Sequence, residues 1–302
     1  MLTNALLISG SSGILSALTF LFSVMQGTVL LIYLPILPIL LVGFHFGFKK
    51  AVIAALTAAV LLMMVNTASV TGLYILFLAI PALIVSFFTL QRKHGGEWYP
   101  VMRLITNLLI YAAAMIAIVV FDYSDVDGGL QAKIASELSP TYEGLDPNLT
   151  AMMQDLLGKH AYFLIASTSW LWVMMVYLMA LVAHYILDSY RQNIRPSFSL
   201  KEGEMSTWML PLLGVASVVA FASSGEWQFA SRAAMLMLLL PYFIAGLIAI
   251  HRKSAHLPGR GFLLTVLYAI IFITAWPILF VAMFGVMLQL QKIGKPTNTA
   301  HS

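Results

Sequence analysis

The sequence predicts an all-α polytopic membrane bundle of about nine spans, and three observations predict it. Of 302 residues, 61% are hydrophobic and 9% charged, with a mean hydropathy of +0.92. A soluble domain carries about 25% charged residues to face water. Several apolar runs reach the roughly 20 residues that cross a bilayer as a helix. The basic residues gather in short loops between those runs, where they act as topology signals. That distribution argues against nucleic acid as a partner, despite a pI near 9.2 and a net charge of +4.

The predicted spans are 5–26, 28–48, 50–66, 70–90, 101–121, 161–188, 207–222, 233–250 and 261–290. The amino terminus lacks the basic segment and cleavage site of a signal peptide, so the first run is read as a retained span. Lys49 and Lys50 follow the second span, Arg92 and Lys93 the fourth, Arg191, Arg195 and Lys201 the sixth, and Arg252, Lys253 and Arg260 the eighth. These loops share one side if every span crosses. The positive-inside rule makes that side cytoplasmic and places the amino terminus there; the expected location is a bacterial inner membrane, as the family resemblance given below implies. The long loop 122–160 holds seven acids and two lysines, a net charge of −5, and faces outward. Nine crossings put Lys292 and Lys295 outside. Segment 261–290 contains Pro277, so it is kinked, strongly tilted or not a simple crossing. The whole chain reads as one integral membrane domain: a six-span part to residue 190, a three-span part over 207–290 and a polar tail.

Pro35 and Pro38 fall inside the second span, where each removes a backbone N–H. The carbonyls so released need a donor from protein or water, and such kinks often line a cavity. Ser9, Gly13 and Ala17 on the first span, and Ala51, Ala55 and Ala59 on the third, form small-residue faces at intervals of four. Such faces admit a close neighbour, either within the bundle or in a membrane partner.

Enzyme chemistry finds little support. No acid or base lies near the middle of a span, which disfavours a proton relay or cation site. H-E-x-x-H, G-x-S-x-G and phosphate-loop motifs are missing. The chain has no cysteine, which excludes disulfides and thiolate metal sites; no metal, cofactor or catalytic residue is expected. His184 and Asp188, one turn apart, fit an acid–base pair or an interfacial polar pair beside Arg191. His45 at similar depth fits an interfacial residue or a gate with His184. In the outer half, Asn66, Tyr74, Ser167 and Trp170 are the candidates for binding a small solute, since buried amides and hydroxyls need partners. Trp172 and Trp227 are assigned to the aromatic belt. In the outer loop, Asp146 is predicted to cap a helix with Pro147 at its first position. Leu149, Met152, Met153, Leu156 and Leu157 form its apolar face, and Leu130, Ile134 and Leu138 mark a short helix before it. The two helices lie on the outer leaflet or fold over the bundle as a lid.

The stretch "YLPILPILLVGFHFGFKKAVIAALTAAVL", residues 33 to 61, with the length and span pattern, resembles the YybS-like predicted membrane proteins, a bacterial family of unknown function. More distantly, Gly43 and Gly47 before a small-residue span are similar to the substrate-binding S components of energy-coupling-factor vitamin transporters. That likeness implies a six-helix, S-component-like part that binds a small solute from the outer face and docks energy-supplying partner subunits. The rival expectation is a non-transporting scaffold that recruits membrane or envelope partners. Convergence of Asn66, Ser167 and Trp170 on one cavity separates the two.

Overall fold

The computed structural model describes residues 2–293 apart from 29, 93–95, 124–127, 143, 145, 193, 196–204 and 275. Lys93, Lys201 and Lys295, named above, and Asp125, Asp127 and Glu143 among the seven acids of the loop lie outside the described residues. The described chain is all-helical, without a β-strand. Its helices are α1 (Leu2–Gln26), α2 (Ile36–Phe46), α3 (Phe48–Val65), α4 (Ala68–Tyr74), α5 (Ile80–Thr89) and α6 (Val101–Asp122), then α7 (Gly129–Leu138), α8 (Pro147–Ser189), α9 (Met209–Ala222), α10 (Gly225–Lys253), α11 (Arg260–Thr274) and α12 (Pro277–Ile293). A π-helical turn, Ile75–Ala79, joins α4 to α5, and α8 is kinked at His160.

Among the described residues, six helical stretches are long and apolar enough to cross a membrane: 4–26, 48–65, 68–89, 101–122, 159–189 and 225–256. The second and seventh predicted spans are shorter, at 31–46 and 209–222. At 1.5 Å per residue these are about 24 and 21 Å long, short of the roughly 30 Å hydrocarbon core. Pro35 and Pro38 restrict the first of them, and Gly47 ends it in a left-handed turn at φ 93°. The last predicted span is a bent pair, α11 and α12, at 119°.

The chain divides into two compact units, residues 1–108 with 171–202, and residues 109–170 with 203–302. The boundary differs from the six-plus-three division expected above, since most of α6 and the acidic loop after it group with the last helices.

In the first unit α1 lies along α3, with α2 against both. Ser9, Gly13, Ser16, Ala17 and Phe20 of α1 are buried, as are Ala51, Ala54, Ala55, Ala58 and Leu62 of α3. A Cβ on Gly13 would overlap the Ala54 carbonyl and come within 2.6 Å of Thr57 Cβ. The small face of α1 is therefore used against α3 inside the unit. Ala59 is only half-buried, and Ala58 takes the place expected of it. The physical reason is that steps of four drift about 40° each on a helix of 3.6 residues per turn.

In the second unit α10 packs on α9 and α12 around Met209, Leu213, Leu238, Leu239, Tyr242 and Ala282. Gly246 lies against the Val281 carbonyl and Gly285 against that of Tyr242, leaving no room for a Cβ at either crossing. Helix α7, from the acidic loop, docks here through Leu130, buried with Val120, Ala161 and Phe229. Asp146 caps α8 as expected, its Oδ1 accepting from Asn148 N at 2.8 Å. Leu149, Met152, Met153 and Leu156 remain exposed.

Large apolar side chains cover much of the surface. Phe121, Phe221 and Phe272 are 76%, 79% and 92% exposed. Water penalises such a surface, whereas lipid does not.

Candidate functional site

A proline cannot donate to the carbonyl four residues before it. In an apolar helix that carbonyl needs another donor. Pro35 releases Leu31 O, which accepts from Leu34 N and from Ser23 Oγ, both at 3.0 Å. Pro38 releases Leu34 O, which accepts from Leu37 N at 3.0 Å. Pro81 releases Phe77 O, inside the π-turn, and Trp172 Nε1 donates to it at 3.1 Å. Pro241 releases Met237 O, and Trp170 Nε1 donates to it at 3.2 Å while also reaching Leu236 O at 3.1 Å. Each of the four breaks is closed by a donor from the chain.

The first unit holds a buried polar centre beside the Pro35 break. Ser16 Oγ donates to Pro35 O at 2.7 Å and lies 2.7 Å from Tyr74 Oη. Because Ser16 has one proton and Pro35 O can only accept, the Tyr74 hydroxyl is the donor to Ser16. Phe20 meets the Tyr74 ring edge-on, centroids 5.2 Å apart. One turn before Tyr74, Thr71 is also buried. Its Oγ1 and Asn66 Nδ2 are buried atoms with no partner among the described residues.

The four expected solute-binding residues are divided between the two units. Asn66, at the end of α3, and Tyr74 belong to the first unit, whereas Ser167 and Trp170 belong to the second. Ser167 is exposed and donates to Leu164 O of its own helix at 3.0 Å. Trp170 is half-buried, stacks on Phe243 at 6.0 Å and closes the Pro241 break. Trp172, assigned above to the belt, is instead buried and closes the Pro81 break. Trp227 is 70% exposed, as a belt residue is.

At the basic end of the first unit, His45 Nδ1 lies 3.0 Å from Gln192 O and His184 Nε2 3.1 Å from Arg195 O. Both imidazoles therefore hold the segment that follows α8. Asp188 is exposed, and its backbone carbonyl accepts from Arg191 N at 2.9 Å. Sequence reasoning treated Arg195 only as a topology marker. It is buried, donates from its guanidinium to Tyr99 O at 2.9 Å and lies 6.0 Å from the Trp98 ring, which Arg92 also faces at 4.5 Å. Its hydrogen-bond partner Tyr99 lies 96 residues away in sequence, so no local pattern pointed to this role. Among the described residues no three His, Asp or Glu side chains group as metal ligands.

The fold and the site together define a class: an all-helical protein whose apolar helices are consistent with a multi-pass membrane protein. No family model, curated protein or solved structure matches the chain.

Proposed function

We propose that the chain is a multi-pass bacterial inner-membrane protein of the scaffold or assembly kind, holding membrane partners without moving a solute. The observation that carries this reading is the closure of the proline breaks by Ser23, Trp170, Trp172 and local backbone donors. Transport sites built on broken helices leave released carbonyls facing an ion, a substrate or a water-filled cavity. Here those carbonyls bind the protein itself and stiffen the bundle.

The charge pattern supports an orientation. The basic loops at Lys49, Arg92, Arg191 and Arg252 share one side only if α9 crosses despite its length. If α2 also crosses, the amino terminus lies with them in the cytoplasm. Local thinning of the bilayer accommodates helices of this length.

A second reading is a transporter-like protein that binds a small neutral solute from outside and depends on partner subunits for energy, as its likeness to S components implies. Asn66 Nδ2 and Thr71 Oγ1 favour it, as polar atoms near the α3–α4 turn that a solute could satisfy. Native mass spectrometry of the protein, gently extracted from its own host membrane, separates the two. The scaffold reading expects protein partners without a small molecule. A stoichiometric small molecule that is lost on Asn66→Ala and Thr71→Ala, or a bound ATPase-bearing subunit, would overturn it.

A further inference from the structure

The cation-rich end of α10 opens onto a groove that neither functional reading uses. Ile250, Leu257, Leu263, Leu264, Leu267 and Phe284 line it, from α10, α11, α12 and the residue after the short turn Ser254–His256. Its volume is about 340 Å³. Lys253 also lines it, Nζ 5.0 Å from the centre of the Phe284 ring. The rest of the cluster is positive or neutral. Arg252, His256 and Arg260 are exposed nearby in sequence, and no Asp or Glu occurs anywhere after Glu226.

We propose that this groove binds an anionic glycerophospholipid of the surrounding bilayer, an acyl chain along the leucines and the phosphate against Lys253. Three features select that occupant. The trough is apolar along its length, so it suits hydrocarbon rather than a free anion. Its cation is the last residue of α10, at the terminus of a helix long enough to cross the membrane, where a headgroup phosphate lies. Basic pockets between helices at that level hold anionic headgroups. A cation on an aromatic face also keeps its outer hydrogens free to donate. The inference rests on membrane placement and is independent of the choice between scaffold and transporter.

The test is native mass spectrometry of the purified full-length protein in mild detergent. Phosphatidylglycerol and phosphatidylcholine with the same acyl chains are titrated in parallel. The wild type is expected to retain phosphatidylglycerol preferentially. Lys253→Gln should lower that affinity about fivefold, the effect of one basic residue near the surface, and leave phosphatidylcholine unchanged. Leu264→Trp, which fills the groove and keeps every charge, should remove the phosphatidylglycerol adduct and covers the case in which Lys253→Gln does not fold. Equal retention of the two lipids, full retention in Leu264→Trp, binding of inorganic phosphate alone, or a lipid-free dimer closed over this face would each overturn the proposal.

Discussion

Trp170 and Trp172 each donate an indole N–H to a carbonyl that a proline has released. Replacing either by Phe keeps a ring of similar bulk and removes only the donor. Trp172→Phe then leaves Phe77 O without its side-chain donor in the bundle interior. The expected loss is about 1 kcal/mol, within the range measured for hydrogen bonds between membrane helices, read as a lower unfolding midpoint in detergent. Combining Trp172→Phe with Pro81→Ala should recover part of that loss, because an alanine backbone N–H in place of Pro81 can serve the carbonyl again. Gly13 makes a second residue-scale test. Gly13→Ala must separate α1 from α3 and should cost about 1–3 kcal/mol, whereas Gly10→Ala has open space around its Cβ and should be neutral or slightly stabilising. The prolines and the small residues were legible in the sequence. Their partners were not, because Trp172 meets Phe77 from 95 residues away and Trp170 meets Met237 from 67. An aromatic at that depth reads equally well as a belt residue, and only its burial separates the two roles.

Helix identity was the most legible level. The apolar runs became helices, and the Asp146-Pro147 signal placed the start of α8 correctly. Lengths were less legible, because a hydropathy run does not register where a backbone breaks. The run read as 28–48 is a short turn plus α2, ended by the left-handed Gly47. The run read as 261–290 is two helices on either side of a bend. Element-scale electrostatics can be followed in α7. In α7 the Lys133 ammonium hydrogen-bonds Glu137 at 2.6 Å and holds its carboxyl below the usual carboxylate range. A lowered folded pKa means that the pair supports α7 above the ordinary carboxylate pKa and that this support is lost as pH falls through the folded value. Amide-exchange protection in α7 should therefore drop on acidification in the wild type, and Glu137→Gln should flatten that dependence. The pair is exposed, so the effect should shrink with added salt.

At the scale of the molecule, composition decided the class, and the charge of the loops gives the orientation we propose. Composition could not decide how a polar interior is used. Asn66, Tyr74, Ser167 and Trp170 were grouped by predicted depth, but depth does not fix azimuth around a helix. Ser167 points away from the core and Tyr74 is engaged with Ser16. The claim that organises the account is that the proline breaks are sealed by the protein and open no aqueous path. Because the natural chain has no cysteine, single cysteines at Leu78, Met237 and the exposed Ser136 can each be probed in native membranes with a water-soluble maleimide. Sealed breaks predict labelling of Ser136→Cys alone, with Leu78→Cys and Met237→Cys reacting only after denaturation. Rapid labelling of Leu78→Cys or Met237→Cys in the intact membrane would reveal water at the breaks and contradict the account.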